Sequence, residues 1–311
     1  MKMTRRDFLP ALAGLPLTAM LSGCFGLGRF ASSRRVPAWG VEPVKCVGHR
    51  GDYPDAPEGS AAAYGNAVTR GSDILKLDLQ LTKDNVPVLS HDPALRRTMG
   101  WDVRIRDVTL EEIRRHVYLP VGGHADERIV TVAEGLEYAK RIPELWLDFK
   151  YYDPDFLECV LGLVKSAGIG EDRVMCATYT RKALEHMKAR HPDIRRVSHV
   201  TVRQDPASGM LRNSFSGDVC RDMENDMVAS ILRYRDALDL WGVNIIAHPA
   251  MTPAFVRRVK EGGLWFSLAL VHTEKGARRY ASLRPDCVVT RDVRTIRPIF
   301  DAARGSSGVC L

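Results

Sequence analysis

The sequence predicts an α/β fold, a (β/α)8 barrel of the TIM type, on three observations. Strand-like apolar runs and helix-like amphipathic runs alternate about eight times over roughly 250 residues, the span such a barrel occupies. No shift in composition marks a second domain, and no solenoid-type repeat interrupts the alternation. Histidines and charged residues gather at the ends of the strand-like runs, where barrels of this kind keep their chemistry. A chain of 311 residues has room for one large barrel or two ordinary domains, and the unbroken alternation favours the barrel.

Residues 1–23 read as a signal peptide rather than as part of the fold. Thr4-Arg5-Arg6-Asp7-Phe8-Leu9 is a twin-arginine pattern, followed by an apolar run broken by Pro10, Gly14 and Pro16. Leu21-Ser22-Gly23-Cys24 resembles the box at which bacterial lipoproteins are cut and lipidated on the cysteine. The expected organisation is a lipidated Cys24, a Gly/Ser-containing tether over 24–42, a barrel over 43–300 and a tail over 301–311. Export by the twin-arginine route would leave a lipoprotein anchored in the membrane and facing the periplasm. No other apolar run is long enough to span a bilayer.

Lys+Arg 45 against Asp+Glu 38 gives a net charge of +7 with no dense basic run. That argues against nucleic acid and leaves anionic small molecules or lipid head groups as partners. No protein partner is predicted. Cys46, Cys159, Cys176, Cys220, Cys287 and Cys310 are scattered and form no C-x-x-C pair, so most read as buried thiols rather than disulfides or zinc ligands.

The first strand, Val44 to Val47, ends in Gly48-His49-Arg50-Gly51, and a helix start follows at Pro57-Glu58 and closes at Gly71. Ile74 to Leu81 alternates, placing Lys76, Asp78 and Gln80 on one face. Val86 to Ser90 delivers His91-Asp92, and Ala94 to Asp107 reads as a loop over the barrel mouth. Helices begin at Thr109 and Thr131, each with a capping residue and an acid in its first turn. The strand from Glu144 to Lys150 puts Trp146, Asp148 and Lys150 on one face. Helices over 155–167, 182–190, 222–240, 253–261 and 277–283 then alternate with strands over 173–180, 194–200, 242–247, 264–271 and 286–290. His248 and His272 fall just past strand ends, and the polar stretch 201–221 reads as a long rim loop.

Two histidines can give and take protons near neutral pH, and His49 and His91 are the candidates for proton transfer. Arg50 offers a fork for an anionic oxygen. Glu58 sits where a helix dipole favours a carboxylate.

His49-Arg50-Gly51, Pro57-Glu58, Lys76-Leu77-Asp78, Leu81-Thr82-Lys83-Asp84 and His91-Asp92 together resemble, in order and spacing, the glycerophosphodiester phosphodiesterase family. The resemblance spans residues 44–296, strongly as far as His91 and around Asp148, weakly after Thr180. It implies a (β/α)8 TIM barrel of the phosphatidylinositol-phosphodiesterase-like type. It also implies hydrolysis of glycerophosphodiesters to glycerol phosphate and an alcohol such as choline or ethanolamine. His49 and His91 would be general acid and base, and Arg50, Lys76, Lys150, Glu58 and Trp146 would bind phosphate or substrate. Asp78 and Asp148 would hold Mg2+ or Ca2+. Gly59-Ser60 replaces the usual Asn-Thr, Asp148 replaces a glutamate, and Lys76 stands where the first metal-binding glutamate is expected. Three readings of Lys76 follow: the metal binds differently, Lys76 is itself the cation, or the barrel is a catalytically silent head-group-binding lipoprotein.

Overall fold

The computed structural model describes residues 42–305. Eight strands run parallel: β1 (Lys45–His49), β2 (Ile74–Leu81), β3 (Glu144–Phe149), β4 (Val174–Thr178), β5 (Arg195–Val200), β6 (Gly242–Ile246), β7 (Trp265–Ala269) and β8 (Cys287–Thr290). Each pairs with the next, and β8 returns to β1 with Cys287 opposite Lys45 and Thr290 opposite Gly48, closing the barrel. The expected (β/α)8 architecture is therefore present.

The strands are apolar on both faces because both are covered. Inward-pointing Val47, Ile74, Trp146, Met175, Val197, Trp265 and Val289 fill the interior. Outward-pointing Leu75, Leu77, Leu145 and Leu147 pack with Phe156, Leu157 and Leu184 of the surrounding helices. Helix starts follow local chemistry. Thr109 and Thr131 each close a complete capping box with Glu112 and Glu134, and Asp153 caps helix Pro154–Ser166.

Four sequence expectations change. The first helix is Ala61–Thr69, capped by the Ser60 hydroxyl, so Glu58 lies in the turn ahead of it and not in its first turn. The segment over the mouth contains helix Arg96–Met99 and a 3-10 turn Ile105–Asp107, folded on its own small core of Leu95, Met99, Ile105, Ile113 and Tyr118. The rim stretch 201–221 holds three short antiparallel strands, Val202–Gln204, Leu211–Asn213 and Val219–Cys220. Side-chain hydrogen bonds among Asn213, Ser216, Asp218 and Ser230 hold that excursion, so no apolar alternation announces it. The last helix, Val293–Gly305, runs past the expected limit at 300.

Among the described cysteines, Cys46, Cys176, Cys220 and Cys287 are free and buried, and Cys159 is free and exposed. The signal peptide, Cys24 and Cys310 lie outside the described residues. Among the described residues, no helix is long and apolar enough to cross a membrane.

Candidate functional site

The chain turns hard after β1. Arg50 (φ 58°) and Gly51 (φ 87°) are both left-handed, and a Cβ on Gly51 would meet the Ala63 carbonyl carbon at 2.6 Å, so only glycine fits. This turn leaves His49 at the C-terminal end of β1. Its ring lies edge-on to His91, with centroids 6.3 Å apart, and is stacked on His272 at 5.4 Å. His49 is only 4% exposed, and its Nδ1 has no hydrogen-bond partner. Burial, reinforced by the Lys76 charge, holds His49 well below the ordinary histidine range. His91 has a side chain 35% exposed, with Nδ1 2.7 Å from Asp92 Oδ1. Burial, followed by Lys150, lowers its pKa as well. Burial pushes His272 down to about 4, with help from Arg291 and Arg50. At neutral pH the facing pair is thus uncharged.

Register brings the charged residues together. His49 pairs with Lys76 across β1–β2, and Asp78 with Asp148 across β2–β3. Lys76 Nζ contacts Asp148 Oδ2 and lies 2.5 Å from Asp78 Oδ1. Lys150 Nζ reaches the same two oxygens at 2.8 and 2.5 Å. Burial would raise both carboxyls, but Lys150 and Lys76 outweigh it and hold Asp78 and Asp148 down as carboxylates. Lys150 is raised because the two carboxylates outweigh its burial, whereas burial lowers Lys76 against the same partners. The charged form of Lys76 follows from its partners: a neutral amine would leave two adjacent carboxylates with a single counter-ion.

A divalent cation does not fit this arrangement. The facing carboxylate oxygens are already held by two ammoniums, and the four groups are charge-balanced. At about 4 Å and an effective dielectric of about 20, each unit–unit repulsion is about 4 kcal/mol, and a doubly charged ion meets twice that from each lysine. Asp78 and Asp148, expected as metal ligands, are both partners of the two lysines here. Asp78 Oδ2 remains buried without a partner and borders a small cavity with room for about one water. Elsewhere, Glu158 and His186 on two outer helices and His191, just past the end of the second, form a trio of metal-capable side chains. There Glu158 Oε1 lies 2.8 and 3.0 Å from the two Nε2 atoms, with Arg190 Nε at 3.7 Å, and the three share none of the mouth residues.

The rim is a second charged network. Glu58 accepts from Arg50 Nη1 at 2.9 and 3.0 Å and from Arg97 Nη1 and Nη2 at 2.7 and 2.6 Å. Burial favours the neutral Glu58 acid, but the two arginines outweigh it and lower its pKa. Arg97 Nε also donates to Asp92 Oδ2 at 2.6 Å, so the rim connects Arg50 to His91 through three further side chains. Two cavities open beside the rim, and only the second is lined by His91. One of about 400 Å3 includes Tyr53, Glu58, Arg97, Leu119 and His272, and one of about 510 Å3 includes Gln80, Arg104, Arg106, Lys150 and Tyr151.

The far half of the barrel supports Asp148 from behind. Cys287 donates to Ser267 Oγ (3.2 Å), Ser267 to Asn244 Oδ1 (2.7 Å), and Asn244 Nδ2 to His199 Nδ1 (2.9 Å). His199 Nε2 then meets Asp148 Oδ1 at 3.1 Å. Because Nδ1 accepts, the proton is on Nε2, and all four bonds point toward the carboxylate. His199, Asn244, Ser267 and Cys287 are register neighbours on β5 to β8.

Of the residues singled out from sequence, the structure gathers His49, Arg50, Glu58, Lys76, Asp78, His91, Asp148 and Lys150 around one mouth. Trp146 is corrected. It is 0% exposed, one pleat below Asp148 in the barrel packing, and cannot touch substrate. His248 makes a local bond from the Ala250 amide and joins none of these networks among the described contacts. Sequence reading passed over Arg97, hidden in an apparent loop. It also passed over His199, whose signal was its inward position two residues from Val197 on an alternating strand.

Comparison with known proteins follows the same lines. The model of the glycerophosphoryl diester phosphodiesterase family matches residues 49–295. A glycerophosphodiester phosphodiesterase of Caldanaerobacter subterraneus is 32% identical over 165 residues, covering 48% of this chain and 63% of that protein. Human glycerophosphodiester phosphodiesterase 1 is 35% identical over 99 residues, 30% of this chain and 29% of its own length. The matched segments therefore span less than two thirds of either relative. Among solved structures, an Oleispira antarctica phosphodiesterase in complex with the product sn-glycerol-3-phosphate superposes with a TM-score of 0.68 at 22% identity, covering 83% of this chain and 96% of that one. These structural likenesses speak for the fold.

Proposed function

Because the chain belongs to the glycerophosphoryl diester phosphodiesterase family, we propose that it hydrolyses glycerophosphodiesters to glycerol phosphate and an alcohol. The observation that carries this reading is the pair of uncharged imidazoles, 6.3 Å apart, beside an arginine and a lysine at the C-terminal mouth of the barrel. His91 is the base. Asp92 binds its Nδ1, which leaves Nε2 free to take the proton of the attacking hydroxyl as its oxygen bonds to phosphorus, and stabilises the imidazolium that results. His49 is the acid. Its unpartnered, buried nitrogen is poorly basic until an anionic phosphodiester arrives, and that negative charge favours its protonation. It then delivers the proton to the departing alkoxide. Arg50, oriented by Glu58, and Lys150 hold the phosphoryl oxygens, and the cavity lined by His91 and the one lined by His272 take the two alcohol portions.

The products offer a direct test. Glycerophosphocholine and glycerophosphoethanolamine are expected to yield glycerol phosphate in an enzyme-coupled assay, and no release from any glycerophosphodiester would refute the reading.

The N-terminal pattern supports a location. We propose that Cys24 carries a lipid anchor that places the barrel on a membrane facing the periplasm after twin-arginine export. Cys24→Ser is expected to move the protein from the membrane fraction to the soluble fraction, and persistence in the membrane fraction would refute the anchor.

A further inference from the structure

Four charged side chains fill the inner end of the mouth, and their donors can be counted. Lys76 Nζ has three protons, and Asp78 and Asp148 engage two. Lys150 Nζ likewise has three and engages the same two carboxylate oxygens. Each ammonium retains one proton for another acceptor. Lys150 is the outer of the two, with a side chain 16% exposed, and it lines the cavity beside His91. Lys76 is buried behind it, in register with His49 on the neighbouring strand. His199 donates to Asp148 Oδ1, which turns the other oxygen, Oδ2, toward the lysines. The two positive charges are therefore fixed before any ligand arrives.

We propose that this lysine pair replaces a divalent metal: Lys150 meets the phosphoryl oxygens directly, Lys76 is the positioning cation that balances Asp78 and Asp148, and turnover is metal-independent. This inference deepens the proposed hydrolysis and rests on it. Removing Lys76 would free carboxylate oxygens that a hard cation could use. With Lys76 present those oxygens are occupied. Fixed ammoniums aimed at the place where negative charge develops supply stabilisation of the kind a metal otherwise provides, without reorganisation during the reaction.

The test uses the full-length protein stripped of metal with EDTA. Hydrolysis of glycerophosphocholine is expected to stay within about twofold with chelator or with added Mg2+ or Ca2+. Calorimetric titration with either ion is expected to show no stoichiometric binding at the mouth. Loss of turnover with chelator, restored by Mg2+ or Ca2+, would overturn the lysine proposal while leaving the hydrolysis intact. If no glycerophosphodiester is turned over under any condition, the functional reading falls, and the titration alone judges the lysines: absence of binding supports their place as the site's cations, and stoichiometric binding abolished by Asp78→Asn overturns it. A folded Lys76→Glu variant supplies a readout that a merely structural lysine would not move. It is expected to gain Mg2+ or Ca2+ binding and metal stimulation of about tenfold or more. Continued indifference to metal in that variant would overturn the claim that Lys76 keeps the ion out.

Discussion

Strands β1 to β3 carry full charges into the barrel, whereas β5 to β8 carry a neutral hydrogen-bonded row. Lys76, Asp78, Asp148 and Lys150 balance one another, with Lys76 in register with His49 on the neighbouring strand. His199, Asn244, Ser267 and Cys287 pass directional hydrogen bonds from strand to strand and end on Asp148. The charged half presents groups suited to an anionic ligand. The neutral half is buried and fixes one carboxylate oxygen so that the other meets the lysines. The difference teaches that in this barrel chemistry and support are separated by strand as well as by depth.

The largest effect on stability is expected from the charged half. Lys76→Met leaves Asp78 and Asp148 sharing one counter-ion, and breaking a buried pair from one side costs roughly 3–5 kcal/mol. Urea unfolding is expected to show a lower midpoint with an unchanged slope, and an unchanged midpoint would mean that the quartet is not balanced as described. A smaller loss is expected from Asn244→Leu, which strands the Nδ1 of His199 and the hydroxyl of Ser267, at roughly 1–3 kcal/mol. If Asn244→Leu left kcat/KM untouched while lowering stability, the neutral row would be packing only, with no part in holding Asp148.

The rim separates binding from stability. Arg97 is half-exposed, so its ion pairs with Glu58 and Asp92 are worth about 1 kcal/mol or less to folding. Arg97→Ala is therefore expected to change the melting temperature little and to raise KM several-fold, because Glu58 and Asp92 lose the group that ties Arg50 to His91. An effect on the melting temperature alone would contradict that division.

The histidines give the gentlest signal. His272 titrates near 4 in the folded chain against an ordinary 6.5, so the unfolded chain takes up that proton first. His49 and His91 shift in the same direction. Stability from these groups is full above about pH 6.5 and is lost as pH falls toward 4. A melting temperature flat across that window would contradict the buried, neutral pair.

The same comparison explains what could be read from sequence. Lys76 and Asp78 stand out because alternation places two charges on the inner face of an otherwise apolar strand, and Asp148 and Lys150 repeat the pattern. Asn244, Ser267 and Cys287 are single weakly polar residues in apolar strands, and only closure of the barrel brings them into register. Arg97 was obscured because the segment bearing it folds on a local core, with no long periodic pattern to reveal it. Trp146 misled because the strand pattern gives the face of the sheet but not the depth within the barrel.

The account rests most directly on His49 and His91 acting together at the mouth. Its sharpest measurement is kcat/KM for glycerophosphocholine hydrolysis by the wild-type protein and by His49→Ala and His91→Ala variants shown to be folded by circular dichroism. Loss of either imidazole is expected to lower kcat/KM by about 10²–10⁴-fold. Rates within about twofold of wild type for either variant would contradict the central claim, since proton transfer would then be occurring without that histidine.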